Sequence, residues 1–369
     1  MREMISPVEK VAVLFSDITR ATPYQMILPV LLEELSHLPK DHITFFCALG
    51  THRAATDEEL TTILGRGIVD NYRVVQNDAS DPLQHDLAGT TSSGNRILLH
   101  REVLGADLRI LTGFIEPHFF AGFSGGGKAL MPGMAHVDTI RHNHSIAQLE
   151  DPGCRWGITE GNPLWEEIME AAELAGPSFL LNVTLNRMKE ITGVFAGDLR
   201  AAHSEGAEFA RSTAMVPLTD PYDLVLTSNS GYPLDLNVYQ SVKGMSAAER
   251  IVKRGGAIIM AAECWDGIPH GSDYETILGS VDSPWEMMEF IRANEPSLRD
   301  TWQVYFQAMI QEKADVYLYS GLDPRTVKKC LLKPVEDVGA LVKELSEGKD
   351  GTMRICALPM GPWTIPYLE

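Results

Sequence analysis

The chain has 369 residues, 44% of them apolar and 22% charged, with a net charge of −19. That length suits two domains with sizeable cores, and the composition is ordinary for a globular enzyme. The negative balance argues against nucleic acid or another polyanion as the main partner, while leaving room for a local basic pocket that binds a small anion.

The start, MREMISPVEKVAVLFSD, runs from a short polar lead into a strand, without the long apolar stretch and cleavage site of a secretory signal. No stretch reaches the length of a membrane span. Cys47, Cys154, Cys264, Cys330 and Cys356 are scattered and lack C-x-x-C spacing, so neither a disulfide framework nor a structural zinc site is expected. The expectation is a cytoplasmic protein with no membrane partner.

Val11–Phe15 reads as a short buried strand, SDITRATP as a loop and Tyr24–Leu38 as a helix despite Pro29. Ile43–Leu49 is the next strand, and GTHRAAT leads to a helix opening near Thr56 and Asp57. Leu108–Phe114 is a third strand. A helix at Leu164–Leu174, apolar runs at Phe179–Val183 and Glu190–Phe195, and a polar-faced helix at Leu199–Ala214 follow. Beyond a hinge at Thr219–Pro221 a second series begins with strand Leu224–Thr227, helix Val238–Lys253 and strand Ala257–Ala261. It continues with helices at Trp285–Ile291 and Trp302–Ile310, strand Val316–Tyr319, helix Val335–Leu345 and strand Arg354–Leu358. Apolar runs alternating with helical patterns imply mostly parallel sheets covered on both faces. The expected architecture is therefore two α/β domains, 1–217 and 218–369, with a cleft between them and the final residues crossing back to the first.

Unusual polar residues sit just after strands: Asp17, Thr19 and Arg20, then Thr51 and His52, then His118, then Ser228 and Asn229. Ligands of open parallel sheets bind outside the carboxyl ends of the strands, so separate strands deliver these groups to one edge. The stretch Glu116–His144, EPHFFAGFSGGGKALMPGMAHVDTIRHNH, mixes glycines, a lysine and histidines in a way a core segment does not need. Its SGGGK fits the first part of a phosphate loop, but Ala129 stands where the magnesium-binding hydroxyl belongs, and EPHFFAGF separates it from the strand. A plain flexible glycine turn is the bland alternative. The favoured reading places Lys128 against a phosphate-bearing or covalently attached group.

His118 lies beside Phe119 and Phe120, where desolvation favours the neutral imidazole that a base or metal ligand requires. Taken alone, it and His52 could each be a hydrogen-bonded core histidine; together at one sheet edge they suit acid–base work. His142 and His144 point the same way in an extended chain and splay apart on a helix, and His144 could sit at a helix start with its ring in the cleft. Asp17 and Arg20 could pair locally, or Arg20 could fork a carboxylate. Gln240 and Lys243, at i and i+3 on a helix face, could both reach the cleft.

Taken together these residues resemble the nickel-dependent lactate racemase (LarA-like) family of 2-hydroxyacid racemases and epimerases. The likeness runs through DITRATP (17–23), GTHR (50–53), PHFFAGFSGGGKALMPG (117–133), NH (143–144), GYPLDLNVYQSVKG (231–244) and the closing GPWTIP (361–366), in family order. The resemblance implies a nickel-pincer nucleotide, a pyridinium-bisthiocarboxylic acid mononucleotide whose sulfur arms and carbon hold one Ni(II). It implies a thioamide to Lys128, His144 as the protein's nickel ligand, and cofactor contacts from Thr19, Ser124, Gly125 and Gly126. Soft sulfur with imidazole suits that metal. It further implies racemisation through a flat ketoacid, with hydride leaving C2 for the cofactor and His52 and His118 as bases on opposite sides. Arg20 and Lys243 would hold the substrate carboxylate, with Tyr239 and Gln240 nearby and Asp17 orienting a base or the arginine. Partners would be a small 2-hydroxy acid and the proteins that make the cofactor. Gly127 stands where the family commonly has arginine. The alternatives are a zinc hydrolase using His52, His118, His142 and His144, and a nucleotide-binding protein without turnover.

Overall fold

The computed structural model describes residues 10–347 and 352–369. The polar lead before the first strand lies outside the described residues. Strand β1 (Val11–Ser16) is buried along almost its whole length, and helix α1 (Tyr24–Glu34) returns the chain to β2 (Ile43–Ala48). Helix α2 (Asp57–Leu64) opens on a capping box between Thr56 and Glu59 and is followed by β3 (Arg73–Gln76). A hairpin of β4 (His85–Thr90) and β5 (Arg96–His100) precedes β6 (Leu108–Phe114), which is fully buried. The chain then makes a two-rung hairpin, β7 (Pro117–His118) with β8 (Gly122–Phe123), and runs through α3 (Val137–Asn143) and α4 (Pro163–Leu174). Strands β9 (Ser178–Leu185) and β10 (Ile191–Gly197) and helix α5 (Leu199–Ala214) complete the first half.

The first sheet has the order β10-β9-β6-β1-β2-β3, parallel except for β10. Alternation across β1 divides its side chains between two cores. Val11, Val13 and Phe15 pack with Tyr24, Leu28 and Leu31 of α1, and Ala12 and Leu14 pack with Leu164 and Ile168 of α4. That two-sided burial is why the strand reads as a continuous apolar run. The chain winds one way from β1 to β3 and the other way from β6 to β9. The switch point therefore lies between β1 and β6, and crevices form at the carboxyl ends of such strands.

After β11 (Met215–Leu218), a second sheet is built from β12 (Tyr222–Ser228), β13 (Val252–Ala261), β14 (Ala314–Tyr319), β15 (Lys333–Pro334) and β16 (Ile355–Leu358). Its order is β15-β14-β13-β12-β16, all parallel, with its own switch point between β12 and β16. Helices α6 (Val238–Glu249), α7 (Thr301–Lys313) and α8 (Val338–Ser346) cover it. The expected α/β class with mostly parallel sheets is the observed one. The last strand, β17 (Ile365–Leu368), pairs in parallel with β11. One apolar core runs from Ala12 and Leu14 of the first sheet to Ile258 and Met260 of the second, so the cleft between the sheets has a shared floor.

Several expected boundaries move. Helix α1 stops at Glu34 rather than Leu38, with Leu35 leaving the helical conformation as its C-cap at φ −90° and ψ 1°. Helix α6 ends at Glu249 because Val252 already belongs to β13. Helix α8 begins at Val338, where the Asp337 carboxylate accepts the Ala340 N–H at 2.9 Å, and Lys333–Pro334 is strand instead. Among the described residues no helix is long and apolar enough to cross a membrane.

Candidate active site

The groups that follow the strands meet in one cleft. Ser16 ends β1 and Asp17 and Arg20 come from the turn after it, Gly50, Thr51 and His52 from the turn after β2, and His118 and Lys128 from the stretch after β6. His144 comes from the end of α3, and Tyr239 and Lys243 from α6 across the cleft. Asn182 of β9 and Trp302 and Gln303 of α7 line it too.

His52 is held at both nitrogens. Its Nδ1 lies 2.6 Å from Asp17 Oδ2, and Gln240 Nε2 lies 3.4 Å from its Nε2. A carboxylate on one side and an amide donor on the other assign the proton to Nδ1 and leave a lone pair on Nε2. Asp17 is buried and accepts the Thr19 hydroxyl at 2.7 Å and the Thr19 N–H at 3.3 Å on Oδ1. Burial pushes the Asp17 pKa up, but the electrostatic attraction of His52 when protonated and the bonds from His52 and Thr19 together outweigh it, holding the carboxyl at about 2.

His118 is a buried imidazole of the opposite kind. Its Nδ1 accepts the Ala121 N–H at 3.3 Å, which in the neutral ring puts the proton on Nε2. Phe119 stacks on the ring at 5.0 Å and Phe120 meets it edge-on at 4.5 Å. Burial, reinforced by the Lys128, Arg20 and Lys243 charges, holds its pKa well below the usual histidine value.

Lys128 sits on a short turn of helix, Gly126–Ala129, with Nζ 5.6 Å from the centre of the Phe120 ring. Burial first and the Arg20 charge second lower its pKa from the ordinary lysine value to about 7, so the neutral amine is within reach. His144 is buried against Trp302 (4.9 Å) and Phe120 (5.1 Å), and burial and Lys128 keep it neutral. Its Nδ1 is enclosed without a hydrogen-bond partner. His144 caps the end of α3, its N–H bonded to Ile140 O at 2.8 Å, and directly precedes Ser145, the cap of a short helix Ile146–Leu149, with its ring in the cleft. His142, inside α3, turns away, half exposed and 3.6 Å from Glu167 Oε1.

Other expectations meet a different geometry. Arg20 pairs with Glu116 rather than with Asp17, and the second Glu116 oxygen accepts the Trp363 Nε1–H at 2.8 Å. Thr19's hydroxyl is occupied by Asp17, and the residue lines a second chamber beyond His52. Ser124 lines the cleft, but its hydroxyl donates to Phe114 O and accepts from Glu116 N–H, both at 3.0 Å. The Gly126 N–H goes to Asn182 Oδ1 at 2.8 Å, so that donor serves the fold. Gly125 and Gly126 have φ of 78° and 61°, and a Cβ on Gly125 would stand 2.4 Å from Asn182 Oδ1. Gly127 packs on α4, where a Cβ would lie 3.1 Å from Ile168 O and 3.2 Å from Ala172 Cβ. No added side chain fits there without movement of that helix. Gln240 bridges His52 and Lys243, taking Lys243 Nζ on Oε1 at 2.6 Å. Ser228 and Asn229 are structural: Ser228 bonds Pro359 O at 2.7 Å, and Asn229 ties Gln240 O to Gly244 N, each at 3.0 Å.

Sequence reasoning left Glu116, Asn182, Trp302 and Trp363 without roles. Asn182 carried a signal, being an asparagine inside the apolar run SFLLNVTL, where a buried amide needs partners. Glu116 carried none, because its partners lie 96 and 247 residues away.

Known proteins carry the same frame. Residues 1–157 match the lactate racemase N-terminal domain and residues 218–364 the lactate racemase C-terminal domain. The lactate racemase of Thermoanaerobacterium thermosaccharolyticum is 36% identical over 368 residues, covering 98% of this chain and 85% of its own. The chain belongs to the lactate racemase family. Lactate racemase of Lactiplantibacillus plantarum is 35% identical, over 98% of this chain and 86% of its own. The solved lactate racemase apoprotein from T. thermosaccharolyticum superposes with a TM-score of 0.91 at 34% identity, over 99% of this chain and 88% of that one. A Thermotoga maritima protein shares the fold at 18% identity, with a TM-score of 0.79 over the whole of this chain and 96% of its own. As a member of the lactate racemase family, the protein is an isomerase, a racemase.

Proposed function

We propose that the enzyme racemises or epimerises a 2-hydroxy acid of the lactate kind with a nickel-pincer nucleotide tethered at Lys128. What carries the reading is that His52, His118, Lys128 and His144, spread over 92 residues (144 − 52), line one cleft. The residues fit such a group. Lys128 is a cleft amine with a lowered pKa, as an acylated lysine requires before it is joined. His144 is a neutral imidazole with an orphaned ring nitrogen, suited to one metal bond. Among the described residues no group of three or more His, Cys, Asp or Glu is arranged to hold a metal ion. A zinc hydrolase needs three protein donors, whereas a pincer brings its own and asks the chain for one.

When bound, the cofactor supplies an acceptor and donor for the C2 hydrogen with its electron pair. The chain's own groups then have separable tasks. His52 Nε2 takes the hydroxyl proton of one enantiomer, Asp17 keeping the ring in the right tautomer and balancing its charge. His118, on another wall, takes the hydroxyl proton of the enantiomer that points there in its other tautomer. The ring proton moves from Nε2 to Nδ1 and the Ala121 contact is given up, so that Nε2 presents the lone pair. Lys243 and Arg20 hold the carboxylate, and Tyr239 and Gln240 fix its neighbourhood. Phe119 and Phe120, packed on Phe306 at 4.7 and 5.7 Å, keep that wall dry. We place the division of the chain at 217/218, the enzyme in the cytoplasm, and cofactor-synthesis proteins among its partners.

The test is intact-protein mass. Wild type made in a host with the cofactor pathway should carry a mass above that of its bare chain, and Lys128→Ala should not; the same added mass in both, or none in either, would remove the tether. His52→Ala and His118→Ala should each slow racemisation from either enantiomer by about 10²- to 10⁴-fold, read by circular dichroism. Near-normal turnover in one would remove that residue from the proton transfers.

A further inference from the structure

Asp300 is the residue before α7, a position where aspartate ordinarily takes an extended backbone and caps the helix through its carboxylate. Asp198, Asp323 and Asp337 do this for their helices in the same chain, accepting Ala201, Arg325 and Ala340 N–H groups at 2.9 Å. Asp300 does not. Its backbone is left-handed, with φ of 63°, and its side chain makes no cap bond. The carboxylate is buried on the wall of the second chamber beyond His52, where Oδ1 accepts the Thr51 hydroxyl at 3.2 Å and faces the Tyr239 hydroxyl at 3.5 Å. Trp302 Nε1–H donates to the same Tyr239 oxygen at 3.0 Å, so the tyrosine proton is directed to Asp300. Tyr239 meets the His52 ring edge-on at 6.1 Å, and Thr51 is the residue next to His52. A left-handed residue that forgoes its cap and instead meets a loop of the other half indicates a constraint other than helix stability.

We propose that Asp300 is a positioning residue: by holding Thr51 and Tyr239 together it fastens the His52 loop of the first half to α6 and α7 of the second. The proposal rests on the racemase reading for its kinetic consequence, but the fastening itself exists without cofactor. Without Asp300 the hydroxyl of Tyr239 loses its acceptor, and the loop after β2 loses this tie across the cleft.

Two variants separate positioning from support. Asp300→Gly accepts the left-handed backbone and removes both bonds, while Asp300→Asn keeps an oxygen that can accept them. In cofactor-free protein, hydrogen exchange of the loop amides at residues 50–53 should speed up about tenfold in Asp300→Gly at an unchanged or higher Tm, and return toward wild type in Asp300→Asn. In loaded enzyme, kcat should fall about tenfold or more in Asp300→Gly and recover in Asp300→Asn. Unchanged loop exchange in Asp300→Gly overturns the proposal, as does equal loss of Tm and kcat in both variants. A loaded wild type that fails to racemise would instead count against the racemase reading and leave the exchange result to decide this one.

Discussion

Lys243 enters the cleft from α6, and on the proposed reading it is the cation left for the substrate carboxylate, because Arg20 already shares Glu116. Burial, then the Arg20 charge, brings its pKa from the ordinary lysine value down to about 7. The ammonium is charged below that value and neutral above it, and only the charged form attracts an anion. A bound carboxylate raises the value again, so the loss of binding belongs on the alkaline side of 7. KM for the 2-hydroxy acid should therefore climb as pH rises from about 7 to about 9, approaching tenfold per unit at the upper end. Lys243→Arg, whose guanidinium stays charged throughout, should flatten that climb. A flat KM profile in wild type would remove Lys243 from the carboxylate site. Its neighbour Gln240 was legible from the i, i+3 spacing, but its bridge from Lys243 to His52 was not. The spacing gives the face of a helix; what that face meets depends on a loop 188 residues earlier.

At the scale of elements, the strands were legible because burial on both faces writes them as unbroken apolar runs, as in Val11–Ser16 and Leu108–Phe114. Arg73–Gln76 and β4 were not, being short and largely unburied. Strand β5 has only the three apolar residues Ile97–Leu99 to mark it, although Ile97 and Leu99 are buried. The glycine loop was legible as a stretch that no core needs, but the packing role of its glycines was not. Its left-handed residues serve close packing on Asn182 and His203, which sets where Lys128 stands. Gly125→Ala combines a left-handed backbone with a Cβ 2.4 Å from Asn182 Oδ1. It should destabilise the fold by about 2–4 kcal/mol in urea unfolding. Gly94→Ala, also left-handed at φ 88° but with open space around its Cβ, should cost only about 1 kcal/mol. Equal losses in the two would mean that the contact with Asn182 contributes nothing.

For the molecule as a whole, two mostly parallel sheets share one apolar core, and the closing GPWTIP segment touches both halves. Gly361 lies against Ser228 O and Thr227 Oγ1 at the end of β12, so close that a Cβ there would be 2.5 Å from both, and β17 runs beside β11. Between these anchors Trp363 reaches over to Glu116, the partner of Arg20. The motif was recognisable in the sequence, yet its purpose depended on a glutamate whose partners only folding assembles. Trp363→Phe keeps a ring against Phe114, now 6.4 Å away, but removes the N–H from Glu116. A buried carboxylate oxygen without its donor turns more fully to Arg20, and that draws the guanidinium away from the substrate. The interaction lost is one made with substrate and transition state alike, so KM should rise about three- to tenfold while kcat stays within about twofold. Both constants measured from either enantiomer would check it: a fall in kcat at constant KM would place Trp363 with the reacting atoms, and unchanged constants would mean that Glu116 holds Arg20 without help from the C-terminal segment.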